Sequence, residues 1–269
     1  SLMNKNYKIL IFTDLDGSLL HRDTFKFDEI KDYLKILLSQ GIFIIPNTSK
    51  TEKEILEFNN ELGSDLPYIS ENGAAINGLN LLNSNLPKEL ILSKEKDNLI
   101  KIFEKSIPSN LQNKCKWLSD MDKKKQSLIF GLGDEKLKMA LDRKYTIPFL
   151  FEGNKNEKNE LFRILKSENL AAQEGGRVIN LTDKVNKAKA LNVFVRFFKK
   201  NNKNVKTIAV GDNYNDLDML KTSDFPCLVF NDKFTLDEIP INNITITNKP
   251  SPEGWADVIK KALVKIIKN

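Results

Sequence analysis

The sequence predicts an α/β fold: a Rossmann-like, three-layer core with a parallel sheet, interrupted by an inserted α+β module. Three observations predict it. Short apolar runs of strand type alternate with amphipathic helical periods from Ile9 to about Leu82. The alternation lapses between roughly Leu86 and Asp183, then resumes to the end of the chain. Strands that alternate with helices imply parallel pairing through right-handed crossovers. Residues 1–85 and 184–269 are therefore expected to form one core, and residues 86–183 an inserted α/β cap.

Ile9-Leu10-Ile11-Phe12 is apolar on both alternating faces, the pattern of a buried central strand. After a linker at Thr24–Phe27, Asp28 is placed to cap a helix whose stripe is Ile30, Leu34, Leu37 and Leu38, ended by Gly41. Ile42–Ile45 is the second strand, and it delivers Thr48, Ser49, Lys50 and Thr51 to the same sheet edge. Ile55, Phe58 and Leu62 mark a helix closed by Gly63, and Tyr68-Ile69-Ser70 runs into the Glu71-Asn72-Gly73 turn. Within the insert, helices are expected near Lys94–Glu104, within Glu135–Arg143 and at Glu157–Ser167. Strands are expected at Ile147–Phe151 and Arg177–Leu181, with a hairpin at Gly175-Gly176. Ala188, Leu191, Phe194, Val195 and Phe198 open the second half of the core. Strands follow at Thr207–Val210, Cys227–Phe230 and Ile244–Ile246, and Trp255 to Ile267 form one apolar helix face.

Composition excludes several function classes. His21 is the only histidine, which removes His-based zinc sites and Ser-His-Asp hydrolysis; any metal must be held by oxygen, and that favours Mg2+. Cys115 and Cys227 have no metal-binding spacing and read as reduced core residues. The net charge of +6 is carried mostly by scattered lysines, such as Lys123–Lys125 and Lys260, Lys261, Lys265 and Lys268, without interleaved aromatics. That pattern is a solvated surface and not a nucleic-acid stripe, although it helps draw in an anionic substrate. No apolar run approaches the roughly 18 residues that cross a bilayer. A cytoplasmic protein with no membrane and no nucleic-acid partner is expected.

Four clusters fall at strand ends or helix starts: Asp14 with Asp16, Thr48, Lys187, and Asp212 with Asp216. Ligands of open α/β sheets bind outside the carboxyl ends of the strands. Two carboxylates so close at such an edge need a cation or a shared proton, although a strand entering an Asx-type turn produces the same letters.

The order and spacing of these clusters resemble the haloacid dehalogenase superfamily of phosphotransferases, with DLDGS at Asp14–Ser18 and GDNYND at Gly211–Asp216. The insert resembles that superfamily's type IIB α/β cap. Pro46–Thr51, Glu71–Ile76, Gly175–Arg177 and Pro252–Trp255 are similar to signatures of mannosyl-3-phosphoglycerate phosphatases. The resemblance implies a Mg2+-dependent phosphatase working through an aspartyl-phosphate. Asp14 is then the nucleophile and Asp16 the general acid and base. Mg2+ is assigned to Asp14, the backbone carbonyl of Asp16, Asp212, and Asp216 through a water. Thr48 and Lys187 are assigned to the phosphoryl oxygens, and Ser49, Lys50, Arg177 and Asn215 to the rest of a small phosphorylated sugar or glycerate substrate. Mannosyl-3-phosphoglycerate is the first expectation. The alternatives are another sugar-phosphate phosphatase acting on glucosyl-3-phosphoglycerate or a hexose phosphate, a phosphosugar mutase, and a silent sugar-phosphate binding protein. Asn186 and Ala188, which flank Lys187, and Ile147 before Pro148 depart from the subfamily pattern.

Overall fold

A computed structural model describes residues 6–234 and 241–268. Its centre is β1 (Lys8–Thr13), and strands on both sides of it run parallel to it. The sheet is completed by β2 (Phe43–Pro46), β10 (Val205–Gly211), β11 (Phe225–Leu228) and β12 (Thr245–Ile246), in the order β12-β11-β10-β1-β2. Ile9 and Ile11 pack on one side with α1 (Asp28–Ser39), α2 (Glu52–Leu62) and α10 (Glu253–Lys268). Leu10 and Phe12 pack on the other side with α8 (Lys187–Phe198) and α9 (Leu217–Thr222). Both faces of β1 are therefore covered, as its unbroken apolar run requires. The chain leaves β1 toward β2 and returns beside it as β10, so the strand order reverses between β1 and β10. Thr13 pairs with Val210 there, and Asp14 and Asp212 stand just beyond.

The core continues through β3 (Tyr68–Ser70), β4 (Ala75–Asn77) and β5 (Glu89–Ile91), an antiparallel sheet joined to the main one by a bridge from Asn47 to Ile69. In the turn between β3 and β4, Glu71, Asn72 and Gly73 all have positive φ. Gly73 lies so close to the Asn186 carbonyl that a Cβ would overlap it. Asn186 is the N-cap of α8, accepting from the Lys189 N–H, so this close approach sets how deeply Lys187 enters the core.

The remainder of the insert is a separate four-stranded antiparallel sheet. β6 (Cys115–Trp117), β7 (Ile147–Phe151), β8 (Leu170–Glu174) and β9 (Ile179–Asp183) run in the order β6-β7-β9-β8. α3 (Lys96–Ser106) and α7 (Lys155–Ser167) bury Leu99, Phe103, Leu161 and Leu165 against one face of it. The short α4 (Ser109–Gln112), α5 (Lys123–Phe130) and α6 (Asp134–Leu141) complete the insert. The insert is fastened to the core at the turn before β7. Glu71 accepts from the backbone N–H groups of Lys144, Tyr145 and Thr146, and Arg143 donates to the Ser49 carbonyl at 2.6 Å.

The structure corrects several details of the sequence reading. Asp28 is the first residue of α1; Phe27 is the N-cap and caps without its side chain. The second strand of the second half runs over Phe225–Leu228 and not Cys227–Phe230. Its Pro226 is tolerated because β12 begins pairing only at Cys227, so the missing N–H faces no partner strand. Both cysteines are free and buried, as expected.

Candidate active site

The carboxyl ends of β1 and β10 bring three acids together. One carboxylate oxygen from each of Asp14, Asp212 and Asp216 lies within 4.8 Å of the others, and all three residues are buried. The backbone is shaped for this closeness. Gly17 has a φ of +81°, and a Cβ there would collide with Asp212 Oδ2, so only glycine lets the chain turn away from β1 beside that carboxylate. The Asp216 carboxylate accepts from the backbone N–H groups of Asp212 and Asn213 at 3.0 and 3.3 Å, closing the Gly211–Asp216 loop on itself.

Lys187 is 4% exposed, with its ammonium 2.7 Å from Asp216 Oδ1 and 3.3 Å from Asp14 Oδ2. Burial alone would lower its pKa, but the two carboxylates overcome this and raise it, so it stays charged. Asp14 goes the other way. Burial, then repulsion from Asp216, pushes it up to about 8 despite Lys187. Burial and Asp216 likewise raise Asp212 to about 7, although Arg22 Nη2 lies 2.8 Å from its Oδ2 and Ser18 Oγ donates to its Oδ1. Lys187 and Arg22 together still leave the three acids short of positive charge. The acids' donors are all hard oxygens. That donor set fits a small divalent cation such as Mg2+.

Asp16 projects on the open side of the cluster. Its Oδ2 is 3.1 Å from Lys50 Nζ, and its Oδ1 is buried with no hydrogen-bond partner. Burial raises its pKa against the pull of Lys50. Lys50 also reaches Glu54 Oε2 at 3.2 Å, and Glu54 makes a capping box with Thr51 at the start of α2. Thr48 is buried at the end of β2, its N–H bonded to the Ile69 carbonyl.

These groups floor a cavity of about 530 Å3 roofed by the insert. Asp14, Asp16, Thr48, Ser49, Lys50, Arg177, Asp212 and Asn215 all line it. Lys187 and Asp216 do not line it; they lie beneath Asp14. Arg177 bends toward the loop after β1, with Nη2 3.2 Å from the Arg22 carbonyl. Sequence reasoning missed Arg22, Asn231, Glu54 and Asn180. Asn231 Nδ2 donates to the Asp212 carbonyl at 2.9 Å, while Glu54, Arg143 and Asn180 line the cavity. Glu54 carried a signal as the fourth residue of a Thr-x-x-Glu capping box; Arg22 carried none, being one charge in a polar loop.

Comparison with known proteins settles the class. The family model of haloacid dehalogenase-like hydrolases matches residues 11–258. The chain belongs to the haloacid dehalogenase-like hydrolases. This hydrolase is 30% identical over 267 residues to a glucosyl-3-phosphoglycerate/mannosyl-3-phosphoglycerate phosphatase of Persephonella marina, covering 96% of this chain and 98% of the relative. It is 28% identical over 229 residues to a mannosyl-3-phosphoglycerate phosphatase of Pyrococcus horikoshii, covering 80% of this chain and 88% of that one. Among solved structures, a haloacid dehalogenase superfamily phosphatase of Bacteroides thetaiotaomicron superposes with a TM-score of 0.70 at 17% identity, covering 97% of each chain. The hydrolase is thus an enzyme of the phosphoric monoester hydrolase kind. Among its described residues, no helix is long and apolar enough to cross a membrane.

Proposed function

We propose that this hydrolase removes the phosphate of a glycosyl-phosphoglycerate, with mannosyl-3-phosphoglycerate as its first substrate. The observation that carries the reading is the end-to-end similarity to a relative named for both glucosyl- and mannosyl-3-phosphoglycerate, in a chain whose acid cluster opens into a cavity with cationic walls. Arg22, Lys50, Arg143, Arg177 and Lys233 line that cavity, and a substrate with a carboxylate as well as a phosphate needs such walls. The same reading makes the part of residues 86–183 that follows β5, with its own four-stranded sheet, the cap that encloses the substrate and excludes bulk water.

In this mechanism Asp14 attacks phosphorus with the carboxylate that the Leu15 N–H and Lys187 orient. The bond from phosphorus to the ester oxygen breaks as the new bond to Asp14 forms, and Asp16 gives its proton to the departing oxygen. Its raised pKa and unpartnered Oδ1 suit it to hold that proton. Asp16 then takes a proton from the water that attacks the aspartyl-phosphate, which frees phosphate and restores Asp14. Thr48 binds phosphoryl oxygens from the cavity floor, and Lys187, buried beneath Asp14, offsets the phosphoryl charge from behind that carboxylate. A Mg2+ ion held by Asp14, Asp212 and the Asp16 carbonyl, with Asp216 through a water, would supply the charge neutralisation that phosphoryl transfer requires.

The test is a phosphate-release screen over mannosyl- and glucosyl-3-phosphoglycerate, hexose phosphates and a sugar bisphosphate, with Mg2+ and with chelator. The reading expects the highest kcat/KM on a glycosyl-phosphoglycerate and no release under chelation. A hexose phosphate turned over an order of magnitude faster, or isomer formation without phosphate release, would overturn it.

A further inference from the structure

The face of the insert's sheet that looks down on the acids holds a polar group with no work assigned to it. Along β9, Ile179 and Leu181 point into the apolar core under α3 and α7, so Val178 and Asn180 point the other way and line the cavity. Asn180 is 3% exposed, and its Oδ1 has no hydrogen-bond partner. No side-chain hydrogen bond of any kind is made by this amide among the described residues.

Its cross-strand neighbours do not supply one. The residues opposite it on the flanking strands are Pro148 and Gln173, one apolar and the other donating its own amide to the Val185 carbonyl. Buried amides in folded proteins are nearly always paired, and an exception calls for an explanation. Asp16 and Asn215, which line the same cavity from the core side, also carry buried side-chain oxygens without a hydrogen-bond partner. Three of the seven unpaired buried side-chain atoms among the described residues thus belong to residues that line this one space, from the roof as well as the floor, where a ligand can reach them.

We propose that the Asn180 side-chain amide is a specificity-determining group that hydrogen-bonds the hydroxyls of the glycosyl part of the leaving glycosylglycerate. The inference rests on the glycosyl-phosphoglycerate reading and deepens it. An amide offers one acceptor and two donors, which matches adjacent sugar hydroxyls, each both donor and acceptor. A carboxylate or phosphate would instead select the arginines and lysines on the other walls. Leu150 and Val178, on the same sheet face, give the apolar surface against which a sugar ring can lie.

The experiment compares mannosyl-3-phosphoglycerate with 3-phosphoglycerate, which has the same phosphate and glycerate but no sugar. It uses the Mg2+-loaded wild type, Asn180→Ala and Asn180→Leu. Wild type should prefer the sugar ester. Both variants should lose about 10- to 100-fold in kcat/KM on it, because its hydroxyls are left unpaired in a dry site, and under about twofold on 3-phosphoglycerate. Melting temperature supplies the readout that a merely structural amide would move. Asn180→Leu should melt at or above the wild-type temperature, since it removes an unpaired buried group. Wild-type preference surviving in both variants, equal losses on both substrates, or a lower melting temperature for Asn180→Leu would overturn the role of Asn180 alone. A wild type with no preference for the sugar ester would overturn the substrate reading and this inference with it.

Discussion

Replacing Lys187 with methionine keeps the aliphatic stem that packs in α8 and removes the cation between Asp14 and Asp216. Both partners of that ammonium are buried, at 3.3 and 2.7 Å, and Asp212 stands beside them. Removing one member of a buried ion pair costs about 3–5 kcal/mol, because it leaves the opposite charge buried and uncompensated. For a chain of this size each kcal/mol lowers the melting temperature by about 2–4 °C, so Lys187→Met in chelator should melt on the order of 10 °C below the wild type. Mg2+ in excess should raise the variant back toward the wild type in chelator, since a ligand at a hundred times its Kd adds about 2.7 kcal/mol to a native state that alone binds it. Asp14→Asn made together with Lys187→Met should cost less than the sum of the single changes, as one of the uncompensated charges is gone. Thermal melts of the four proteins, with and without Mg2+, complete the measurement. A Lys187→Met protein that melts within about 2 °C of the wild type in chelator, or an additive double mutant, would refute the account of what holds the acids together.

The acid cluster also sets a pH dependence. Asp14 and Asp212 bind protons more tightly in the folded chain than at their ordinary value of 3.8, so from about pH 4 to about pH 8 the native state holds more protons than the unfolded one. Their contribution to stability therefore falls as pH rises through that window in chelator. Asp14→Asn should flatten the slope, and an identical slope in wild type and variant contradicts the assignment. Gly17→Ala forces a strained φ and drives a methyl into Asp212, so it should lose about 1–3 kcal/mol of stability and most activity; wild-type Mg2+ affinity in that variant would show that the turn does not position Asp212. Glu71→Ala removes the acceptor for three backbone N–H groups of the insert and should lower the melting temperature while raising KM more than it lowers kcat. Equal effects on KM and kcat would separate that latch from substrate enclosure.

Much of this site was legible in the sequence because its chemistry is concentrated in short segments at strand ends. Asp14 and Asp16 are two residues apart, Asp212 and Asp216 four, and each pair follows an apolar run that marks a buried strand. Arg22, Asn180 and Asn231 were hidden because their meaning depends on what tertiary packing brings to them. Arg22 reaches Asp212 across 190 positions of the chain. Asn180 stands out only once its neighbours are known to leave it unpaired. β5 at the edge of the core and β6 in the insert are three residues long, too short to show alternation, and α5 buries only Gln126, so it has no apolar stripe to read. The long amphipathic helices α7 and α10 were plain for the opposite reason.

The most direct test of the central claim is to find the covalent phosphoryl group. The Mg2+-loaded enzyme is mixed with mannosyl-3-phosphoglycerate, quenched in acid within a turnover, digested and sequenced by mass spectrometry. The account predicts a phosphoryl group on the Asp14 carboxylate in wild type and none in Asp14→Asn. Rapid phosphate release with Asp14 unmodified at every time point, or a phosphoryl group on Asp16 or Asp212 instead, would contradict it.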